Sequence, residues 1–203
     1  EAREAIDQII DAYGGKERLS AIEKMKVEMK VSMQGREMNA THYQAVGKIR
    51  REVMMGRKMV QVFDGSTFQL TVDGQSVPAP PQLREQLEYE VKLGVVQAQL
   101  LTKYTGKDSE VVFLGKKSYD GGTFVVVQTK DMKGQQVEHY FDPTTFLEKV
   151  EITSTPSGNE IQEFESYRKF KGVVYPEKVR IQSTDGQLSG GMELVDITDE
   201  FDD

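Results

Sequence analysis

The sequence predicts a mainly β domain with helices: one large antiparallel sheet, apolar on one face, with a helix at the N-terminus and another in mid-chain. Three observations predict it. From Lys26 to Met33 polar and apolar residues alternate without a break. Successive side chains of a strand point to opposite faces, so Val27, Met29, Val31 and Met33 share one side. The rhythm returns over residues 67–72 and in later segments, and turn dipeptides such as Gln34-Gly35, Asp64-Gly65 and Asp73-Gly74 separate the runs. Two other stretches take a helical period instead.

The first is Ala2 to Tyr13, where Ala5, Ile6, Ile9, Ile10 and Tyr13 fall on one stripe. Gly14-Gly15 supplies the left-handed stop that commonly ends a helix, and a short second helix is expected from Lys16 to Ile22. Strands follow at roughly 24–34, 37–46, 48–55, 58–64 and 66–73. Pro78, Pro80 and Pro81 end this part of the sheet, because proline donates no ladder hydrogen bond. From Gln82 to Leu101 the period is helical again: Leu83, Leu87, Val91, Val95 and Ala98 form a stripe, with Arg84, Glu85, Glu88 and Lys92 largely off it. This amphipathic helix either packs on the sheet permanently or acts as a movable cover over its apolar face. Strands resume at roughly 110–117, 122–130, 135–142, 146–154, 159–170, 174–184 and 187–198. With no repeat, linker or low-complexity stretch, residues 1–203 read as one domain.

Composition narrows the function. A net charge of -7 argues against nucleic acid, whose phosphates normally meet a basic surface. The nearest thing to a basic patch, Lys48, Arg50, Arg51, Arg57 and Lys58, is explained equally well as a solvated strand face. Without cysteine there is no disulfide framework, thiol nucleophile or cysteine metal site. No apolar run approaches the ~20 residues that span a bilayer. The chain opens at Glu1 with no visible signal peptide, as a processed chain would, so export is permitted.

Catalytic patterns are absent. His42 and His139 each fall in an expected strand without metal-binding spacing and read as histidines on a sheet surface. Neither a nucleophile elbow nor a nucleotide-binding glycine loop occurs, so an enzyme is not expected, nor a cofactor or metal. The acidic tail (Asp196, Asp199, Glu200, Asp202, Asp203) lacks calcium-loop spacing and reads as a solvated end. More suggestive are seven of the nine methionines, Met25, Met29, Met33, Met38, Met54, Met55 and Met59, which crowd the first strands. Methionine is flexible and polarisable; it suits an adaptable apolar site and an ordinary soft core equally.

Several segments carry a family resemblance: Tyr13-Gly14-Gly15-Lys16-Glu17, Val62-Phe63-Asp64-Gly65, Tyr140-Phe141-Asp142-Pro143-Thr144-Thr145-Phe146-Leu147, and Glu165 to Phe170 leading into Lys171-Gly172-Val173-Val174-Tyr175-Pro176. Together they resemble the LolA/LolB-like superfamily over nearly the whole chain. The resemblance implies an unclosed antiparallel β-barrel wrapped around an N-terminal helix and a lid helix, with a hydrophobic cavity for acyl chains. It further implies a periplasmic, monomeric carrier or binding protein for lipoprotein acyl chains or another lipid-like ligand, in outer membrane biogenesis. The dedicated carrier has an arginine followed by a proline near its third strand, where the arginine helps hold the lid shut; here Gly47 to Glu52 contains arginines but no proline, which weighs against dedicated shuttling. Similar domains are appended to insulinase-like peptidases, so the rival expectation is a non-catalytic accessory domain with an envelope protein partner. On either reading Val27, Met29, Val31, Met33, Val53, Met55, Phe68 and Leu70 are expected to face inward, and Leu83, Leu87 and Val91 to line the cover.

Overall fold

In the computed structural model, which describes residues 1–107 and 109–202, two helices open the chain: α1 (Ala2–Ala12) and α2 (Lys16–Ser20). The α1 stripe works as its spacing predicts. Ala5, Ile6, Ile9 and Ile10 are buried, while Asp7, Gln8 and Asp11 stay in water. A meander follows: β1 (Lys24–Met33), β2 (Arg36–Ala45), β3 (Lys48–Met55), β4 (Arg57–Phe63), β5 (Phe68–Val72) and the two-residue β6 (Gln75–Ser76). Next come α3 (Pro81–Leu93), a 3₁₀ turn at Val96–Ala98, and α4 (Gln99–Thr105). The second meander is β7 (Val112–Tyr119), β8 (Gly122–Lys130), β9 (Gln136–Phe141), β10 (Glu148–Thr155), β11 (Gly158–Phe170), β12 (Val173–Ser183) and β13 (Ser189–Thr198).

All the described strands join one antiparallel sheet in the order β6-β5-β4-β3-β2-β1-β13-β12-β11-β10-β9-β8-β7. Neighbours in space are neighbours in sequence except at β1–β13, where the first and last strands pair. The sheet ends in two free edges, β6 and β7, so the barrel is not closed. Both of its wings turn one face onto helices. On one wing α1, α2 and α4 pack against β8, β9 and β12 around Ile9, Leu19, Val127 and Phe141. On the other, Leu87 of α3 packs on Ile49 and Phe63. Among the described residues no helix is long and apolar enough to cross a membrane.

Each of the twelve expected strands has its boundaries within two residues of expectation, because alternation and turn chemistry are local signals; the two-residue β6 was not expected. Two of the segments carrying the family resemblance prove to build turns. Asp64 Oδ1 accepts hydrogen bonds from the Ser66 and Thr67 amides, and Asp142 Oδ1 does the same with Thr144 and Thr145. Gly14 has φ 127, and a Cβ there would lie 2.7 Å from the Gly172 carbonyl oxygen. Only glycine allows the α1–α2 turn to press against the β11–β12 turn, where the Val174 amide donates to the Tyr13 carbonyl at 3.0 Å.

One expectation needs correction. The single helix from Gln82 to Leu101 is two helices, broken where Gly94 takes φ 110, a conformation no right-handed helix contains. A side chain compensates the interrupted backbone: Gln44 Nε2 donates to the Gly94 carbonyl at 2.8 Å, and Gln44 Oε1 accepts from the Val96 amide at 3.0 Å. The Leu83–Leu87–Val91 stripe belongs to α3, whereas Val95 drops into the cluster around Met25, Val27 and Met29.

Candidate functional site

Cross-strand register sorts the inward side chains into rows across the trough. The row at the helix-bearing end runs Phe68, Phe63, Ile49, Gln44. The next is unexpectedly polar: Leu70, Gln61, Arg51, His42, Val27. Beyond it comes Val72, Met59, Val53, Ala40, Met29, Leu194. At the far end Met38, Val31, Met192 and Val179 align, with Met33 and Met55 on the same face. By register, the eight expected sheet residues share this face.

Burial then divides them along the strand. On β1, Val27 is 0% exposed and Met29 6%, but Val31 and Met33 are only half-buried. Val27, Met29, Val31 and Val53 share one cluster with Val95 and Leu194; Phe68, Leu87 and Val91 share another with Ile49 and Phe63. Leu70 is buried between β4 and the end of the sheet, Leu83 is half-buried at the start of α3, and Met55 stands at the rim, 47% exposed. The helices thus fill one end of the trough and leave a methionine-rich strip at the other. Two clefts lie elsewhere: one of about 370 Å³ beside Ile22 and Met25, and one of about 400 Å³ lined by Tyr43, Arg50 and Val62 of the outward-facing row together with Phe201.

The cover is lightly attached. Of the α3 residues, all described, Leu87 alone is buried. Arg51 reaches across from β3 to the Glu90 carboxylate, with the two side chains 14% and 21% exposed, and Gln86 Nε2 donates to the same carboxylate at 3.1 Å. Among the described residues the buried Arg51 Nε and Gln61 Oε1 have no hydrogen-bond partner, so the polar row is not fully satisfied. Arg51 was expected on a solvated strand face and His42 on a sheet surface; the register corrects both, turning them inward under α3. Sequence reasoning passed over Gln44, Gln61 and Glu90. The available signal was a charge on the inward register of β3, between Ile49 and Val53. His42 pays for its place: burial, then the neighbouring Arg51 guanidinium, lowers its pKa to about 4.

A second polar group lies under α4. His139 is fully buried, which corrects the surface position expected of it; the β9 face it occupies is covered by α4, three elements away in sequence. Its Nδ1 lies 2.6 Å from Glu148 Oε1 and 3.3 Å from Glu151 Oε2, and its Nε2 is 2.9 Å from Thr129 Oγ1. Burial and the Lys103 ammonium oppose charging of this imidazole, but the two carboxylates outweigh them and its pKa is raised. The Glu148 backbone is fixed from both sides. Its amide donates to the Tyr13 hydroxyl at 3.2 Å, and its carbonyl accepts from the Tyr167 hydroxyl at 2.6 Å.

Three solved structures share this architecture over nearly their whole length, each 10% identical and matched over 98% of this chain and 93% of its own. They are a LolA superfamily protein from Nitrosomonas europaea at a TM-score of 0.61, a domain named for outer membrane lipoprotein sorting from Vibrio parahaemolyticus at 0.58, and a DUF1329 family protein from Desulfovibrio piger at 0.58. The chain has a LolA-like fold. No family model and no curated protein matches the sequence itself. At this identity the likeness is one of fold. In this LolA-like chain the arginine that reaches the cover is Arg51, with Glu52 rather than proline after it.

Proposed function

We propose that this LolA-like chain is a periplasmic, non-catalytic binding protein whose trough takes the acyl chains of a lipid or lipoprotein, with α3 as its cover. The observation that carries the reading is the strip of half-buried Val31, Met33, Met38, Met59 and Met192 continuing past the helical fill. Soft side chains on a concave, partly uncovered face adapt to chains of differing length and unsaturation. Entry requires α3 to lift, and its docking through Leu87 and the Arg51–Glu90 pair is modest beside the burial of α1. Lipoprotein sorting is the form of this activity that the Vibrio domain's name suggests for a shared fold.

The test is native mass spectrometry of gently purified protein, followed by delipidation and titration with a fluorescent fatty acid. Co-purified lipid and saturable binding are expected; neither appearing would overturn the reading. A protein-interaction role is favoured by a different observation. The outer face of β7–β11 carries Tyr119, Phe124, Tyr140, Ile152 and Ile161 around Val126, an apolar cluster on the side away from the helices. Val126 and Tyr140 are buried there, with Tyr119, Phe124, Ile152 and Ile161 half-buried around them, and a specific envelope protein recovered by crosslinking through these four residues would support the second reading.

A further inference from the structure

The geometry points to a divalent metal site of the zinc type beneath α4, formed by His139 Nδ1, Glu148 Oε1 and Glu151 Oε2, with the Tyr104 hydroxyl as fourth donor. It is independent of acyl-chain binding.

The three donor atoms of His139, Glu148 and Glu151 all lie within 4.8 Å of one another. A tetrahedral zinc ion with bonds of about 2.0 Å sets its ligands about 3.3 Å apart. The His139–Glu151 separation is already 3.3 Å, and the His139–Glu148 separation of 2.6 Å needs to open by well under 1 Å. Thr129 holds Nε2 from behind, which orients the ring and leaves Nδ1 facing the carboxylates. A ligating histidine is normally anchored in this way through its other nitrogen. Glu148 is presented on a backbone already pinned by Tyr13 and Tyr167.

Tyr104 supplies the independent sign that something is missing. It is 5% exposed, its hydroxyl is buried, and among the described residues that hydroxyl has no hydrogen-bond partner. Its ring meets the His139 ring edge-on at 6.1 Å. Buried hydroxyls are rarely left unpaired, and an ion held by the three neighbouring donors would give this one a partner.

The donor set selects the metal. One imidazole and two carboxylates with a phenol suit zinc and its first-row neighbours; calcium and magnesium prefer more oxygens and no nitrogen. On binding, the Nδ1 proton leaves to solvent and the ion takes its place between the carboxylates. Lys103, 3.9 Å from Glu151 and about one-third exposed, is free to swing outward as the ion enters. The ion would tie α4, β9 and β10 together and fix the helical fill in the trough.

The experiment uses tag-free full chain, stripped of metal by refolding in chelator and titrated with Zn²⁺ alone and, separately, with Co²⁺. One ion per chain is expected, with sub-micromolar affinity, a melting temperature that rises with Zn²⁺, and visible Co²⁺ bands of four-coordinate intensity. Glu151→Gln should weaken Zn²⁺ binding about 100-fold and Tyr104→Phe about tenfold. His139→Gln should abolish it; should that variant fail to fold, the Glu151 and Tyr104 variants decide by the same titration. A wild-type chain whose melting ignores Zn²⁺, or full affinity in both Glu151→Gln and Tyr104→Phe, would overturn the site and leave His139 as a member of a closed hydrogen-bonded cluster.

Discussion

Met29→Glu and Met33→Glu put the same charge on the same face of β1, about 13 Å apart, and should have opposite consequences. Met29 is 6% exposed and packs with Ala40, Val95 and Leu194. A carboxylate there has no cation opposite it in register, and desolvating it costs on the order of several kcal/mol. Losing the burial of the methionine adds about 2 kcal/mol. The sum, about 5 kcal/mol or more, is a large part of the total stability of an ordinary domain and corresponds to a fall in Tm of about 10–20 °C. Met33 is half-buried at the open end, opposite Arg36 on β2 and Gly190 on β13. A glutamate there keeps water and gains a cation, so the stability change should stay below about 1 kcal/mol. Acyl-chain binding should suffer instead. Turning two or three methylenes away from the strip, at about 0.8 kcal/mol each, weakens binding roughly 30-fold. Thermal melting and titration with a fluorescent fatty acid on both variants read the two outcomes. Wild-type melting in Met29→Glu, or undiminished binding in Met33→Glu, would refute the division of this face into a filled core and a free strip.

Leu87→Ala removes the anchor of α3 and should cost about 2–5 kcal/mol of local docking; hydrogen exchange should rise across residues 81–93 and stay unchanged at Ile9 and Ile10, and equal rises in both would mean the cover does not move separately. His42 gives a pH signature. Because its native pKa is lowered from 6.5 to about 4, beside Arg51 and within reach of the Arg51–Glu90 pair, the unfolded chain gains a proton first as pH falls. Its contribution is intact above pH 6.5 and is lost progressively down to about pH 4; His42→Asn should flatten that part of the Tm–pH curve, and an unchanged slope would show that His42 is not desolvated.

The sequence by itself determined the strands, their inward faces, the turns and the stop after α1, because each depends on residues close together in the chain. Alternation put Val27, Met29, Val31 and Met33 on one side with no knowledge of what lay above them. The motifs carrying the LolA-like resemblance were legible for the same reason: Asp64 and Asp142 close their turns within three residues. Tertiary structure decided which part of that continuous apolar face is core. Met29 and Met33 are equivalent by pattern; Met29 shares a buried cluster with Val95, brought over by the break at Gly94, and Met33 lies outside it. It also decided the polar groups. Arg51 finds Glu90 thirty-nine residues away, and His139 meets Tyr104 only because α4 folds across β9. A strand's period reports which way a side chain points, whereas burial, charge pairing and metal-binding geometry depend on what another part of the chain brings to meet it.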